Sequence, residues 1–461
     1  MQYIRSCTNC SICAMERIKM LLVGNGRLIT RDSNGFYENG AVAIEGNIIK
    51  EVGDFAALKA KYSDAQFIDA KGGVIMPGLI NAHNHIYSAF ARGLSLTNYN
   101  PKNFNDILEG MWWRIDRKLT LENDLLSAYA VFTDCIKNGV TTIFDHHASY
   151  GDIPYSLDQI VKPAKELGVR ACVCYEVSDR DGQQKMEESV FENERMINEA
   201  AKDDSDMIHA MMGLHAAFTL SDKTLAFCAD HKGREAGYHI HVAEGPSDVS
   251  DSLHKYGKRI VERLYEQNIL GEKTLAIHCV HVSPAEMHLL KETNTMVVHN
   301  PESNMGNAVG CGPVIQLFKE GLTLGLGTDG YTNDMLESYK VGNIIHKHHL
   351  GDPTVAWGEI PAMLFENNAK IAARFFRKPL GVLKEGAYAD VIVTDYDPLT
   401  PMNGSNCNGH ILFGMNGRSV THTICNGKVL MADRKILVAD EADLMKQCRA
   451  NAAKLWEAVN A

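Results

Sequence analysis

Several short segments of this chain bring together side chains that handle metal ions and protons. His83-Asn84-His85 sets two imidazoles two residues apart. On a strand such positions share a face, so both rings can turn towards one ion. The segment G-Y-H-I-H-V-A-E supplies His239 and His241, again on one face, with Glu244 three residues after His241. T-L-A-I-H-C-V-H supplies His278 and His281, and L-T-L-G-L-G-T-D-G supplies Asp329, placed to reach a metal-bound water. Imidazole and carboxylate ligate divalent first-row metals, and neighbouring carboxylates carry acid–base chemistry. One histidine at a strand end is ordinarily structural. A set of them with an aspartate, closing many apolar runs, is hard to explain by packing.

The elements that must position these groups show the same rhythm throughout the middle of the chain. Apolar runs alternate with longer amphipathic stretches: V-I-M-P-G-L-I-N-A-H-N-H, V-T-T-I-F-D-H-H, V-R-A-C-V-C-Y-E-V, M-I-H-A-M-M-G-L-H, then the runs bearing His241 and His278, T-M-V-V-H-N, and the run bearing Asp329. Runs apolar on both faces suit parallel strands covered by helices. Eight of them predict an α/β fold, a (β/α)8 TIM barrel over 76–378, with its active site at the C-terminal strand ends. The flanks, 20–75 and 379–440, read as short strands with Asn-Gly and Gly-Asn hairpin signals at Asn25-Gly26, Gly46-Asn47 and Asn426-Gly427. Together they predict a small β-sandwich built from both chain ends. Residues 1–19 read as a tail and 441–461 as a C-terminal helix.

Bulk properties narrow the function. A net charge of -11, with no basic run, argues against a nucleic-acid partner. No apolar stretch is long enough to span a membrane, and the first residues lack a secretory pattern. The 12 cysteines are mostly single and within apolar runs, as at Cys172, Cys174 and Cys279. They are expected to be reduced thiols of a cytoplasmic protein. Cys7, Cys10 and Cys13 have iron–sulfur spacing but lack a fourth thiolate, so incidental cysteines in a tail are the simpler reading. The P-C-x-x-C of the unrelated zinc nucleobase deaminases is absent.

Taken in order, P-G-L-I-N-A-H-N-H, H-V-A-E, A-I-H-C, H-N-P-x-S-N and G-T-D-G resemble the amidohydrolase superfamily. The resemblance is to its aminohydrolase branch, with the guanine, 8-oxoguanine, cytosine and S-adenosylhomocysteine deaminases and the s-triazine hydrolases. It runs from Met20 nearly to the end. It implies His83, His85, His241 and Asp329 as ligands of one divalent metal, zinc first and ferrous iron second. The fourth run offers no lysine to bridge a second ion. It further implies that Asp329 takes a proton from the attacking water, that Glu244 shuttles protons to the ring nitrogen and leaving group, and that His278 hydrogen-bonds the water or the oxyanion.

Substrate contacts are implied for His215, His299 and Asn304, although Met305-Gly306-Asn307-Ala308-Val309 departs from the family's usual continuation. Arg92 and Trp112-Trp113 are candidate pocket walls. His239 reads as a core histidine and His281 as a supporting one, while His146 or His147 is a candidate for the pocket lining. The expected activity is hydrolytic deamination of a purine-like nitrogen heterocycle. The alternative is opening of a cyclic amide or imidazolone ring. The absence of an arginine in L-H-A-A-F-T-L-S lowers guanine itself. A scaffold without catalysis is disfavoured because His83, His85, His241, Glu244, His278 and Asp329 are all present. Relatives of this kind are commonly dimers or larger, so a homo-oligomer is expected.

Overall fold

The computed structural model describes residues 20–461. The three tail cysteines lie outside the described residues.

Every apolar run of the middle becomes a strand. The first splits at Gly78 into β5 (Val74–Pro77) and β6 (Leu79–Asn84). There follow β7 (Val140–His147), β8 (Arg170–Tyr175), β9 (Ile208–Ala210), β10 (Met212–Ala216), β11 (Tyr238–Val242), β12 (Leu275–His278), β13 (Met296–His299) and β14 (Leu324–Leu326). Apart from β9, these strands from β6 onward are buried along their whole length, which is why their sequences run apolar instead of alternating. All neighbours pair in parallel, in two sheets ordered β6-β7-β8-β9 and β10-β11-β12-β13-β14. Met211 interrupts the fourth run and leaves one piece of it in each sheet. Parallel bridges from Val177 to Leu214 and from Asn84 to Asp329 join the two sheets at both edges.

Strands from the two chain ends share one sheet of nine. The N-terminal set is β1 (Leu21–Ile29), β2 (Phe36–Glu45), β3 (Ile48–Asp54), β4 (Gln66–Asp69) and β5. The C-terminal set is β15 (Val391–Thr394), β16 (Val420–Cys425), β17 (Lys428–Ala432) and β18 (Lys435–Ile436). The order is β18-β17-β16-β15-β5-β1-β2-β3, with β4 beside β1. Alternation sorts its two faces: Val23, Val42 and Ile44 fall in one apolar cluster, Leu22, Ala41 and Ala43 in another.

Two of the three turn signals are hairpins, between Glu45 and Ile48 and between Cys425 and Lys428. Asn25-Gly26 is not. β1 continues through it as a bulge, with register shifts on both sides and Asn25 at φ 62°. Asn25 donates to Asp69 at 2.7 Å, and a Cβ on Gly26 would lie 2.6 Å from the Gly73 carbonyl. The Asn-Gly pair therefore serves a kink that lets a neighbouring strand approach.

The C-terminal helix, Glu441–Asn460, braces the wall of the site. Trp456 Nε1 donates to the Phe90 carbonyl at 2.6 Å, and Arg114 Nε donates to the Val459 carbonyl at 2.8 Å. The segment so held carries Trp112 and Trp113.

Candidate active site

The C-terminal strand ends converge on a histidine cluster. β6 presents His83, with His85 immediately after its end, and β11 presents His239 and His241. His85 Nδ1 donates to the His146 carbonyl at 2.6 Å, and His241 Nδ1 donates to the His215 carbonyl at 2.8 Å. A carbonyl only accepts, so in both neutral rings the proton sits on Nδ1 and Nε2 is a bare lone pair. These two Nε2 atoms nevertheless face each other at 3.2 Å. Protonating His241 would relieve the clash, but burial, then the neighbouring His85 and His278, pushes it down to about 3. A cation between the rings resolves it.

The surrounding donors fit such a cation. Asp329 Oδ1 lies 3.4 Å from His85 Nε2, and His83 Nε2 is buried without a hydrogen-bond partner. Candidate ligand atoms of His83, His85 and Asp329 lie within 4.8 Å of one another. A tetrahedral ion with ligands at about 2.0–2.1 Å spaces them roughly 3.3 Å apart, and three nitrogens with one carboxylate oxygen suit zinc. His239 has a part in this, since its Nε2 meets His83 Nδ1 at 2.8 Å and orients that ring.

The loop after β14 is clamped onto β6. The His83 carbonyl accepts from the N–H groups of both Thr328 and Asp329 at 3.0 Å. Gly327 permits the approach, because a Cβ there would lie 2.9 Å from the His83 backbone. Asp329 and His278 both adopt left-handed backbones, φ 56° and 72°, a conformation costly for residues with side chains. The result is a second cluster. His278 Nε2 stands 3.4 Å from Glu244 Oε2 and 3.4 Å from Asp329 Oδ2. Burial, then repulsion from Asp329, raises the Glu244 carboxyl well above its ordinary range. Asp329 moves the other way: burial would raise it, but His85, His278 and His241 lower it overall. Two carboxylates with opposed proton affinities beside one imidazole are the arrangement that acid–base chemistry uses.

Both clusters open into one pocket. Trp112 and Trp113 line it, as do His215, Asn307 and Glu176. His215 Nδ1 bonds Thr219 Oγ1 at 2.7 Å. Other candidates lie elsewhere. Asn304 is buried behind the pocket, its Oδ1 taking His278 Nδ1 at 2.7 Å, so it orients that histidine. His299 is buried against His346, with Nε2 atoms 3.0 Å apart. Arg92 is exposed, pairs with Asp134 at 3.7 Å and lines an adjoining outer cavity, outside the inner pocket. His281 Nε2 donates to the Val309 carbonyl at 2.7 Å. His146 and His147 are fully buried outside the pocket lining, the first holding His85 through its carbonyl.

Sequence reasoning passed over Glu176. It ends the third apolar run, and the rule that runs close on His, Asp or Glu pointed to it. His346 carried no such signal, since it lies on the helix Met335–Leu350 and reaches His299 only through the tertiary fold.

The amidohydrolase family model matches residues 74–430, and the chain belongs to that family. It is a hydrolase acting on carbon–nitrogen bonds. Among relatives, a 5'-deoxyadenosine deaminase of Methanosarcina barkeri is 32% identical over 450 residues, covering 96% of this chain and 99% of its own. A 5-methylthioadenosine/S-adenosylhomocysteine deaminase of Thermococcus sibiricus is 32% identical over 419 residues, covering 89% and 94%. An adenosine deaminase structure from Xanthomonas campestris with bound zinc superposes with a TM-score of 0.82 at 22% identity, covering 95% and 98%. With the family, that likeness makes the fold TIM-barrel-type. No helix among the described residues is long and apolar enough to cross a membrane.

Proposed function

We propose that this chain is a metal-dependent hydrolytic deaminase of an adenosine-type nucleoside. The observation that carries the reading is the facing pair of bare Nε2 atoms on His85 and His241, 3.2 Å apart, beside the Glu244–His278–Asp329 cluster. The relatives named as deaminases of 5'-deoxyadenosine and 5-methylthioadenosine supply the substrate class. The proposed ligands are His83, His85, His241 and Asp329, and the ion they hold is zinc. When bound, such an ion lowers the pKa of a water towards about 7.

The protein's own groups divide the proton work. Asp329 Oδ2 receives the proton of the attacking water. His278, whose Nδ1 is engaged by Asn304, turns an accepting Nε2 towards that water and orients it. Glu244, kept protonated by burial, gives its proton to the ring nitrogen and passes the next one to the departing amine. Oxygen bonds to the carbon bearing the amine, the carbon–nitrogen bond breaks, and ammonia leaves. The tryptophans at 112 and 113 wall the flat ring and exclude bulk water.

We further propose the division into a tail at 1–19, β segments at 20–75 and 379–440, a barrel at 76–378 and a helix at 441–461. A reducing cytoplasmic setting is supported by the free cysteines from Cys135 to Cys448.

Mass analysis of products tests the reaction. The proposal expects a nucleoside that has exchanged its amine for an oxo group, with ammonia released. A product that has gained a whole water, formed from cyclic amides with no ammonia, would replace deamination by ring opening.

A further inference from the structure

Phe104, Leu108, Trp112 and Trp113 all line the pocket, and all come from one excursion of the chain, residues 98–113. The excursion leaves and returns at one place on the C-terminal helix. Thr97 N–H donates to Asn460 Oδ1, Arg114 Nε to the Val459 carbonyl and Arg114 Nη1 to the Thr97 carbonyl, each at 2.8 Å. A surface loop whose ends meet is a compact unit of its own. Between these feet little holds it down. Among the described residues from 98 to 113, Leu108 alone is buried. Across the mouth it touches the opposite rim lightly. Ser247 Oγ donates to Asn105 Oδ1 at 2.9 Å, and the Phe104 ring covers Gly245, where a Cβ would lie 3.1 Å from it. Gly245 directly follows Glu244. Few buried apolar contacts and exposed hydrogen bonds mark segments that open at low cost. The first tryptophan sits on a π-helical turn, Leu108–Trp112, a rare form that gathers at functional sites.

The space beneath requires the excursion to move. The pocket is about 50 Å³, room for about three to five waters, and a purine base is larger. Trp112 also lines an outer cavity of about 440 Å³, and Trp113 lines another of about 460 Å³. Lifting the excursion joins all three. We infer that residues 98–113 are a lid over the reacting centre. It lifts on its feet at the C-terminal helix to admit the substrate. It then seats Phe104 on Gly245 and shuts bulk water away from Glu244 and the metal ligands. Its part in turnover rests on the deaminase reading above, whereas its control of metal exchange does not.

The test locks the lid down and, separately, removes its seat. Asn105→Cys with Ser247→Cys, joined by a short bis-thiosulfonate bridge that a reductant cleaves, holds it closed. Phe104→Ala takes away the contact with Gly245. Transfer of zinc from the loaded protein to a chelator is timed for both and for the wild type. Each single cysteine variant treated with the same reagent is the control, and zinc content and Tm are recorded throughout. The bridged protein is expected to give up zinc about tenfold or more slowly, and Phe104→Ala faster than the wild type. Reduction returns the bridged protein to the rate of its unbridged form. Ammonia release from adenosine is lost on bridging, with zinc retained, and comes back on reduction. Zinc transfer that responds to neither change overturns the lid, as does a bridged protein that still releases ammonia at the unbridged rate. Slowed zinc transfer in the bridged protein, with no ammonia from any form, supports the lid and overturns the deaminase reading instead.

Discussion

His85 and His241 turn their Nε2 atoms towards each other at 3.2 Å, although each has already given its ring proton to a backbone carbonyl. Two facing lone pairs in a buried site repel each other, and a cation held between them removes the repulsion. Elemental analysis is therefore expected to find about one zinc per chain. His85→Ala and His241→Ala should each lose it. Stripping the wild type with a chelator should lower Tm, and added zinc should restore it, because an ion that binds only the folded chain stabilises that chain.

His239 holds His83 at 2.8 Å and does not itself line the pocket. His239→Leu keeps the volume but removes the partner that orients the ring. The expected outcome is metal affinity about 10–100-fold weaker, read from competition with a chelator, with the fold retained. Unchanged affinity would return His239 to a plain core role.

Glu244→Gln removes the proton shuttle without removing a ligand. Turnover should fall by about 10²–10⁴ while zinc content stays at the wild-type level. Loss of zinc in this variant would instead place Glu244 among the ligands.

A different carboxylate sets acid stability. Asp206 is 1% exposed and accepts from His209 Nε2, the Arg377 N–H and Tyr388 Oη, each at 2.8 Å. Burial raises its pKa, but these partners prevail and hold it at about 2. A depressed folded value means stabilisation that is complete above the unfolded pKa of about 3.9 and lost as pH falls from there through about 2. The contribution is about 2 kcal/mol at neutral pH. Asp206→Asn tolerates the same φ of 58°. It should lower stability by about that amount at pH 7 and flatten the acid limb of a denaturation series between about pH 4 and 2.

Much of this site was legible because the signals were local. His83 and His85 share a strand face by period alone, and Glu244 follows His241 at a spacing that needs no tertiary knowledge. The apolar runs marked the buried parallel strands for the same reason. What escaped depended on long-range packing. Asn25-Gly26 has turn chemistry, yet β5 and Asp69 arrive from elsewhere and use it as a bulge. Asn304 matched a motif, but only the fold shows that its amide serves His278 instead of facing the pocket. Arg92 lies shortly after the first strand in sequence, and the chain's path carries it out to Asp134. Glu176 was visible at a strand end, but its place in the pocket lining is a property of neighbours brought in by the fold.

The most direct test of the account is ammonia released from 5'-deoxyadenosine, measured per nucleoside consumed, before and after the metal is removed. The account predicts equimolar ammonia from the zinc-loaded protein, almost none from the chelated protein, and recovery when zinc is returned. Full ammonia release by protein shown to hold no metal would contradict it, as would a fully loaded protein that leaves every adenosine-type nucleoside intact.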